Sequence, residues 1–228
     1  MKNFSTEIEL MFQRLRSDQK FSFSKYADGE WFTLLGSPVN NGEFDFDPNR
    51  GDPVKDLMES FTFKDDGYYV GISCPCCVGS KHYVMKKTSQ QKEDNLTFAN
   101  LFVNNNYKFF AKNFVPEFSN QKIHLIANKN SKIENLPFEI EEFYPIGFSA
   151  WVNDYDLIEK IIAKNLEGKL FLFCCGPFGN ILAHKLWQTN KNNTYMDIGS
   201  TLNPWLQSEA FVRGYFSGPN SDKICVWQ

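Results

Sequence analysis

Apolar residues recur along this chain with two periods, close to 3.6 and close to 2, and their alternation predicts its elements. Ile8, Leu10, Met11 and Leu15 stand at helical intervals, and Thr6 and Glu9 have the spacing of a capping box, so residues 6–16 read as an amphipathic helix. Residues 21–26 alternate like a strand; Asp28-Gly29-Glu30 breaks it, and 31–35 reads as a short helix closed by Gly36. Residues 37–53 are rich in Asn, Gly, Asp and Pro and form a loop able to lie over a site. Beyond it the pattern predicts a helix near 53–61, a strand over 68–73 that runs into Cys74-Pro75-Cys76-Cys77, and a helix over 89–103. A buried strand follows at 123–127 and a weaker one at 143–146.

The clearest unit comes last. Asn153 is placed to cap a helix over 154–166, with Leu157, Ile158, Ile161 and Ile162 on one face and Gly168 at its end. A continuous apolar strand follows over 169–175, then the tight turn Gly176-Pro177-Phe178-Gly179, a helix over 180–188 and a strand over 194–198. This βαβ unit implies an α/β fold with a mostly parallel sheet covered by helices on both faces. At 228 residues, without internal repeat, low-complexity tail or linker, the chain reads as a single domain over 1–228.

Composition narrows the function classes. A net charge of −3 with scattered lysines gives no basic field, so nucleic acid is not expected as a partner. Nothing approaches the apolar length of a transmembrane segment, and the N-terminus has no apolar signal region. A cytoplasmic location is therefore expected, where the 6 Cys stay reduced.

In open parallel sheets ligands bind beyond the carboxyl ends of the strands, and three motifs fall there: Asp28-Gly29-Glu30, Gly176-Pro177-Phe178-Gly179-Asn180, and Asp197-Ile198-Gly199-Ser200. Carboxylates one residue apart in a non-helical turn can share a divalent cation with a diphosphate, and Gly29 lets backbone approach. Equally, Asp28 caps the next helix and Glu30 adds favourable first-turn charge. The Gly-Pro-Phe-Gly turn suits phosphate held by free N–H groups, or is an ordinary strand-to-helix turn. Asp197 is a candidate for sugar hydroxyls or a base, and Ser200 for phosphate; Asp197 equally suits a turn cap. Cys74-Pro75-Cys76-Cys77 has a C-x-x-C spacing but no second pair at finger spacing, with Cys174-Cys175 elsewhere, so buried, reduced cysteines are expected rather than zinc or redox chemistry. His124 and His184 lie in apolar patterns and read as structural; His82 follows a strand end and is the one histidine worth testing.

As an ordered set, Ser24-Lys25-Tyr26-Ala27-Asp28-Gly29-Glu30, Cys175-Gly176-Pro177-Phe178-Gly179 with Leu182-Ala183-His184-Lys185-Leu186, and Tyr195-Met196-Asp197-Ile198-Gly199-Ser200 resemble the GT-D-type glycosyltransferases over roughly 20–205. That resemblance implies a Rossmann-like fold and transfer of a hexose from a UDP-sugar donor to a glycan, glycoprotein or lipid-linked acceptor. It makes Asp28 and Glu30 the ligands of a divalent metal, Mn²⁺ or Mg²⁺, and places Lys25, Tyr26, Gly29, the 176–180 turn and Ser200 around the donor. The chain departs from the family pattern at Lys25 and Ala27, where members carry Arg and Gly. It departs again at Ser200 and Pro204, where many carry a His and a Glu proposed as the base. Asp197, His82 and Glu209, in that order, are the remaining candidates for that base. The family's Arg-Pro-Tyr segment aligns with Asn105-Asn106-Tyr107. Two alternatives stand beside the enzyme: a noncatalytic nucleotide-sugar or glycan-binding module, and a thiol oxidoreductase built on Cys74 and Cys77.

Overall fold

A computed structural model describes residues 1–207 and 213–227. Seven strands form one sheet in the order β5-β4-β1-β9-β8-β6-β7, every neighbouring pair parallel. They are β1 (Ser22–Tyr26), β4 (Tyr68–Ile72), β5 (Leu96–Phe98), β6 (Ile123–Asn128), β7 (Glu142–Ile146), β8 (Leu170–Cys174) and β9 (Thr194–Asp197). A two-stranded antiparallel ribbon, β2 (Val39–Asn40) and β3 (Asp45–Phe46), lies in the segment that follows helix Asp28–Leu34. The central strands are apolar along their length because helices cover both faces: Val70, Ile72, Leu125, Ile126, Leu172 and Phe173 are all fully buried. This is the α/β architecture with a helix-covered parallel sheet expected from the terminal βαβ unit, and it is Rossmann-like as the resemblance implies.

The N-terminal helix starts earlier than its capping-box spacing suggests. It spans Phe4–Arg16, and the Asn3 side chain accepts from the N–H groups of Ser5 and Thr6, both at 3.0 Å. The helix expected over 89–103 is absent. A single 3₁₀ turn, Glu93–Asn95, leads into β5, because Leu96 and Phe98 bury better as an edge strand beside β4 than on a helix face. The expected helix over 154–166 is also broken. Ala150–Asn153 and Leu157–Ala163 are separate short helices, since the Asp154 carboxylate turns back to accept from Gly147 N–H at 2.9 Å. The helix after the Gly176 turn is longer than expected, Pro177–Thr189, with Pro177 in its first turn where a missing N–H costs nothing. Among the described residues no helix is long and apolar enough to cross a membrane.

Candidate functional site

Strand order assembles the site. The three motifs follow β1, β8 and β9; β1 is far in sequence from the other two, yet all three strands are adjacent in the middle of the sheet. Their turns therefore open on one side, at the carboxyl ends where a parallel sheet binds its ligand.

Glycines let these turns close on one another. A Cβ on Gly179 would meet the Asp197 carboxyl carbon at 3.3 Å, so the first turn of helix Pro177–Thr189 rests on Asp197. Gly199 has φ +53°, and a Cβ there would come within 2.4 Å of Lys25 Cε and 2.7 Å of its Nζ. Only glycine tolerates both that backbone and that neighbour. The Asp-Ile-Gly sequence is thus the seat of the Lys25 ammonium.

Asp197 is almost fully buried, and its two oxygens accept from Lys25 N–H at 3.3 Å and Gly199 N–H at 3.2 Å. Burial pushes its pKa up to about 7, against the pull of Lys25 and with the help of the like charge on Glu30. Burial alone would lower the Lys25 pKa; Asp197, Glu30, Tyr215 and Glu43 overcome it and raise the ammonium above the ordinary lysine value. Burial likewise raises Glu30, although Lys25 opposes the shift.

The acidic pair does not sit in a non-helical turn. Asp28 and Glu30 occupy the first and third positions of helix Asp28–Leu34, whose start the sequence pattern places three residues too late. Glu30 is buried and folds back to accept from Ala27 N–H at 3.0 Å, the reciprocal half of a capping box whose first residue here has no polar side chain. Asp28 is exposed, with one oxygen accepting from Gly29 N–H at 3.0 Å. One acid therefore faces the protein and the other faces outward. Each has one oxygen committed to a local N–H, and the pair still offers hard oxygen donors of the kind Mg²⁺ and Mn²⁺ take, so these residues fit such an ion.

The loop over 37–53 covers the site. Phe44, on the ribbon between β2 and β3, lies against both glycines: Cβ atoms on Gly29 and Gly176 would each meet its ring at 3.2 Å. This one buried ring joins the Asp28-Gly29-Glu30 helix start to the Gly176 turn, and it packs edge-on against Trp151 at 6.0 Å. Ser149 pins the ribbon by accepting from Asp45 N–H at 2.9 Å and donating N–H to Glu43 O at 3.2 Å. Arg213, from the C-terminal part of the chain, pairs with Glu43 at 3.2 Å. The signal for Phe44 was present in the sequence as an aromatic residue in a polar loop; Glu43, Arg213 and Tyr215 carried none.

Several expected ligand contacts serve packing instead. Asn180 is fully buried and donates to Ser24 Oγ at 2.9 Å and Lys25 O at 2.6 Å, fixing the end of β1. Pro177 and Phe178 are buried in the helix, and the Tyr26 hydroxyl meets Ser60 inside the core. Ser200 Oγ is taken by the Tyr215 hydroxyl. His82 is fully buried with Nδ1 on Ser73 O at 2.8 Å and its ring against Trp227, so it is no base for a ligand in this cleft. Asn106 donates to Phe4 O and Leu101 O, both at 2.9 Å, which makes the Asn105-Asn106-Tyr107 segment a support for the N-terminal helix. Glu209 lies outside the described residues.

The fold and the site's position define a Rossmann-like α/β protein of the glycosyltransferase-fold class. The chain is similar to a solved structure described as a new glycosyltransferase (DUF1792) from Streptococcus sanguinis, at 15% identity with TM-score 0.62, covering 85% of this chain and 80% of that one. It is similar as well to a domain of unknown function 1792 reported to have a distinct glycosyltransferase fold, at 15% identity with TM-score 0.58, covering 85% of this chain and 77% of that one. No protein-family model matches the chain, and no curated protein matches it in sequence.

Proposed function

We propose that the chain is a glycosyltransferase that takes a hexose from a UDP-sugar and passes it to a glycan, glycoprotein or lipid-linked acceptor. The observation that carries this reading is the convergence of three motifs on the adjacent strand ends of β1, β9 and β8, with Phe44 bridging the turns after β1 and β8 and Lys25 seated on the turn after β9. The fold shared with proteins described as glycosyltransferases supports it.

In this reading the N-terminus of helix Pro177–Thr189 and the Lys25 ammonium face the diphosphate. Asp28, the outward acid, with Glu30 behind it, would hold Mn²⁺ or Mg²⁺. Such an ion reconciles acids with a diphosphate that they would otherwise repel, and neutralises the charge that collects on the leaving group. Asp197 changes role from its expectation as first candidate for the base. A carboxylate so deeply buried, with both oxygens on backbone N–H groups, positions Lys25 rather than meeting an acceptor. Phe44 occupies the space between the two glycine turns, so donor entry requires the ribbon to move.

A noncatalytic nucleotide-sugar-binding module is the second reading, favoured by the chemistry at Ser200 and Pro204. Ser200 is bonded to Tyr215, and neither residue can take a proton from an acceptor hydroxyl. Incubation with UDP-glucose or UDP-galactose and Mn²⁺ separates the two. The enzyme releases free UDP; UDP binding without release from either donor assigns the module instead.

A further inference from the structure

Three cysteines at the end of β4 meet a fourth from the far end of the chain. Cys74, Cys76 and Cys77 bring their Sγ atoms together with that of Cys225, all within 4.8 Å of one another. The short helix Pro75–Val78 turns Cys76 and Cys77 toward the C-terminal segment. That segment is held in place independently of the sulfurs. Asn3 and Val226 form a β-bridge, and the buried Trp227 ring packs on His82 at 4.7 Å and Phe98 at 5.0 Å while its indole N–H donates to Glu93 at 3.2 Å.

The sulfurs are also supplied with donors. Asn100 Nδ2 lies 2.7 Å from Cys225 Sγ, Lys223 Nζ 3.2 Å from Cys77 Sγ, and Val226 N–H 3.4 Å from Cys76 Sγ. N–H groups and an ammonium aimed at three of four sulfurs suit thiolates, whose charge strengthens such bonds, and they are the outer support a metal thiolate centre uses.

Four thiolates around one zinc at about 2.3 Å stand about 3.8 Å apart in a tetrahedron. The Cys74–Cys76 pair at 3.1 Å and the 4.8 Å outer limit bracket that edge. The span leaves room for one ion and not for the several irons of an iron–sulfur cluster, whose thiolates sit on different metal atoms. We propose that Cys74, Cys76, Cys77 and Cys225 bind one zinc ion as a closed, structural tetrathiolate site that clips the C-terminal segment to the end of β4. The thiols release their protons to solvent on binding, and Lys223 offsets part of the centre's net negative charge. The expectation of buried, reduced cysteines fails in its burial at Cys76 and Cys77, which are exposed, and the fourth ligand the proposal needs is Cys225.

The test counts metal on the full chain, purified without a histidine tag, by elemental mass spectrometry, and then replaces it with Co²⁺. One zinc per chain is expected, along with intense sulfur-to-cobalt charge-transfer absorption. Cys225→Ser and Cys76→Ser should each lose stoichiometric zinc, whereas Cys174→Ser keeps it. Cys76 is exposed, so its loss removes a ligand without emptying the core. Wild-type protein with little metal and four alkylatable thiols, with a mass two hydrogens lighter from a disulfide, or with iron in place of zinc would overturn the proposal. None of these readouts involves nucleotide binding, so the outcome is independent of the transferase reading.

Discussion

Replacing Asp197 by Asn should flatten the pH dependence of stability, and the structure sets by how much. Asp197 titrates from 3.8 in the unfolded chain to about 7 in the folded one. A group raised in this way favours folding while it is protonated. Its contribution is full below pH 3.8 and is lost as pH rises to about 7. The whole shift corresponds to about 4 kcal/mol at 1.36 kcal/mol per pKa unit, and the part falling between about pH 5 and about pH 8 is roughly 2–3 kcal/mol. Buried His124 and His184, whose pKa values are lowered, act in the opposite sense over the same window, and Glu30 acts in the same sense as Asp197. Those groups remain in both proteins, so the difference between the two profiles reports Asp197 together with its coupling to Lys25 and Glu30. Urea unfolding at the two pH values gives the measurement. Wild type should lose roughly 2–3 kcal/mol more than Asp197→Asn on going from the acid to the alkaline buffer. Parallel profiles would show that Asp197 is ionised at an ordinary pKa and refute the buried Lys25–Asp197–Glu30 cluster as described.

Two further substitutions probe the cleft. Gly199→Ala meets a left-handed backbone and the Lys25 side chain together; roughly 1–2 kcal/mol of strain is expected from the backbone alone, and displaced Lys25 should weaken UDP binding in calorimetry. Wild-type affinity in a folded variant would remove Lys25 from the site. Phe44→Ala should lower the thermal midpoint, a buried Phe truncation costing about 3–5 kcal/mol in a rigid core and less on a movable ribbon, while tightening UDP binding because no ring has to leave. Weaker binding in that variant would make Phe44 a contact surface instead of a cover.

Much of this fold is legible in the sequence where one strand or helix decides its own state. β8 is a continuous apolar run and β4 and β6 are nearly so, and the Gly-Pro pair marks the start of the last long helix. Failures occur where a distant partner decides. Leu96–Phe98 is a strand only because β4 lies beside it, and Asp154 breaks a helix only because Gly147 N–H needs an acceptor. At the site the motifs and their adjacency were legible, but their internal chemistry was not. Glu30 turns inward to cap Ala27, and Gly199 is required by Lys25, a residue of another strand. Cys225 is the clearest case: nothing local connects it to Cys74, and the tertiary path of the C-terminal segment supplies the contact.

The grip of an outward acid and its metal on a nucleoside diphosphate is the claim on which the functional reading rests. Titration of UDP into the protein with and without Mn²⁺, for wild type and for Asp28→Asn, tests it most directly. Because Asp28 is exposed, the variant should keep the wild-type thermal midpoint. The expected result is Mn²⁺-dependent binding to wild type that disappears in Asp28→Asn. UDP binding that ignores both the metal and the substitution would contradict the account.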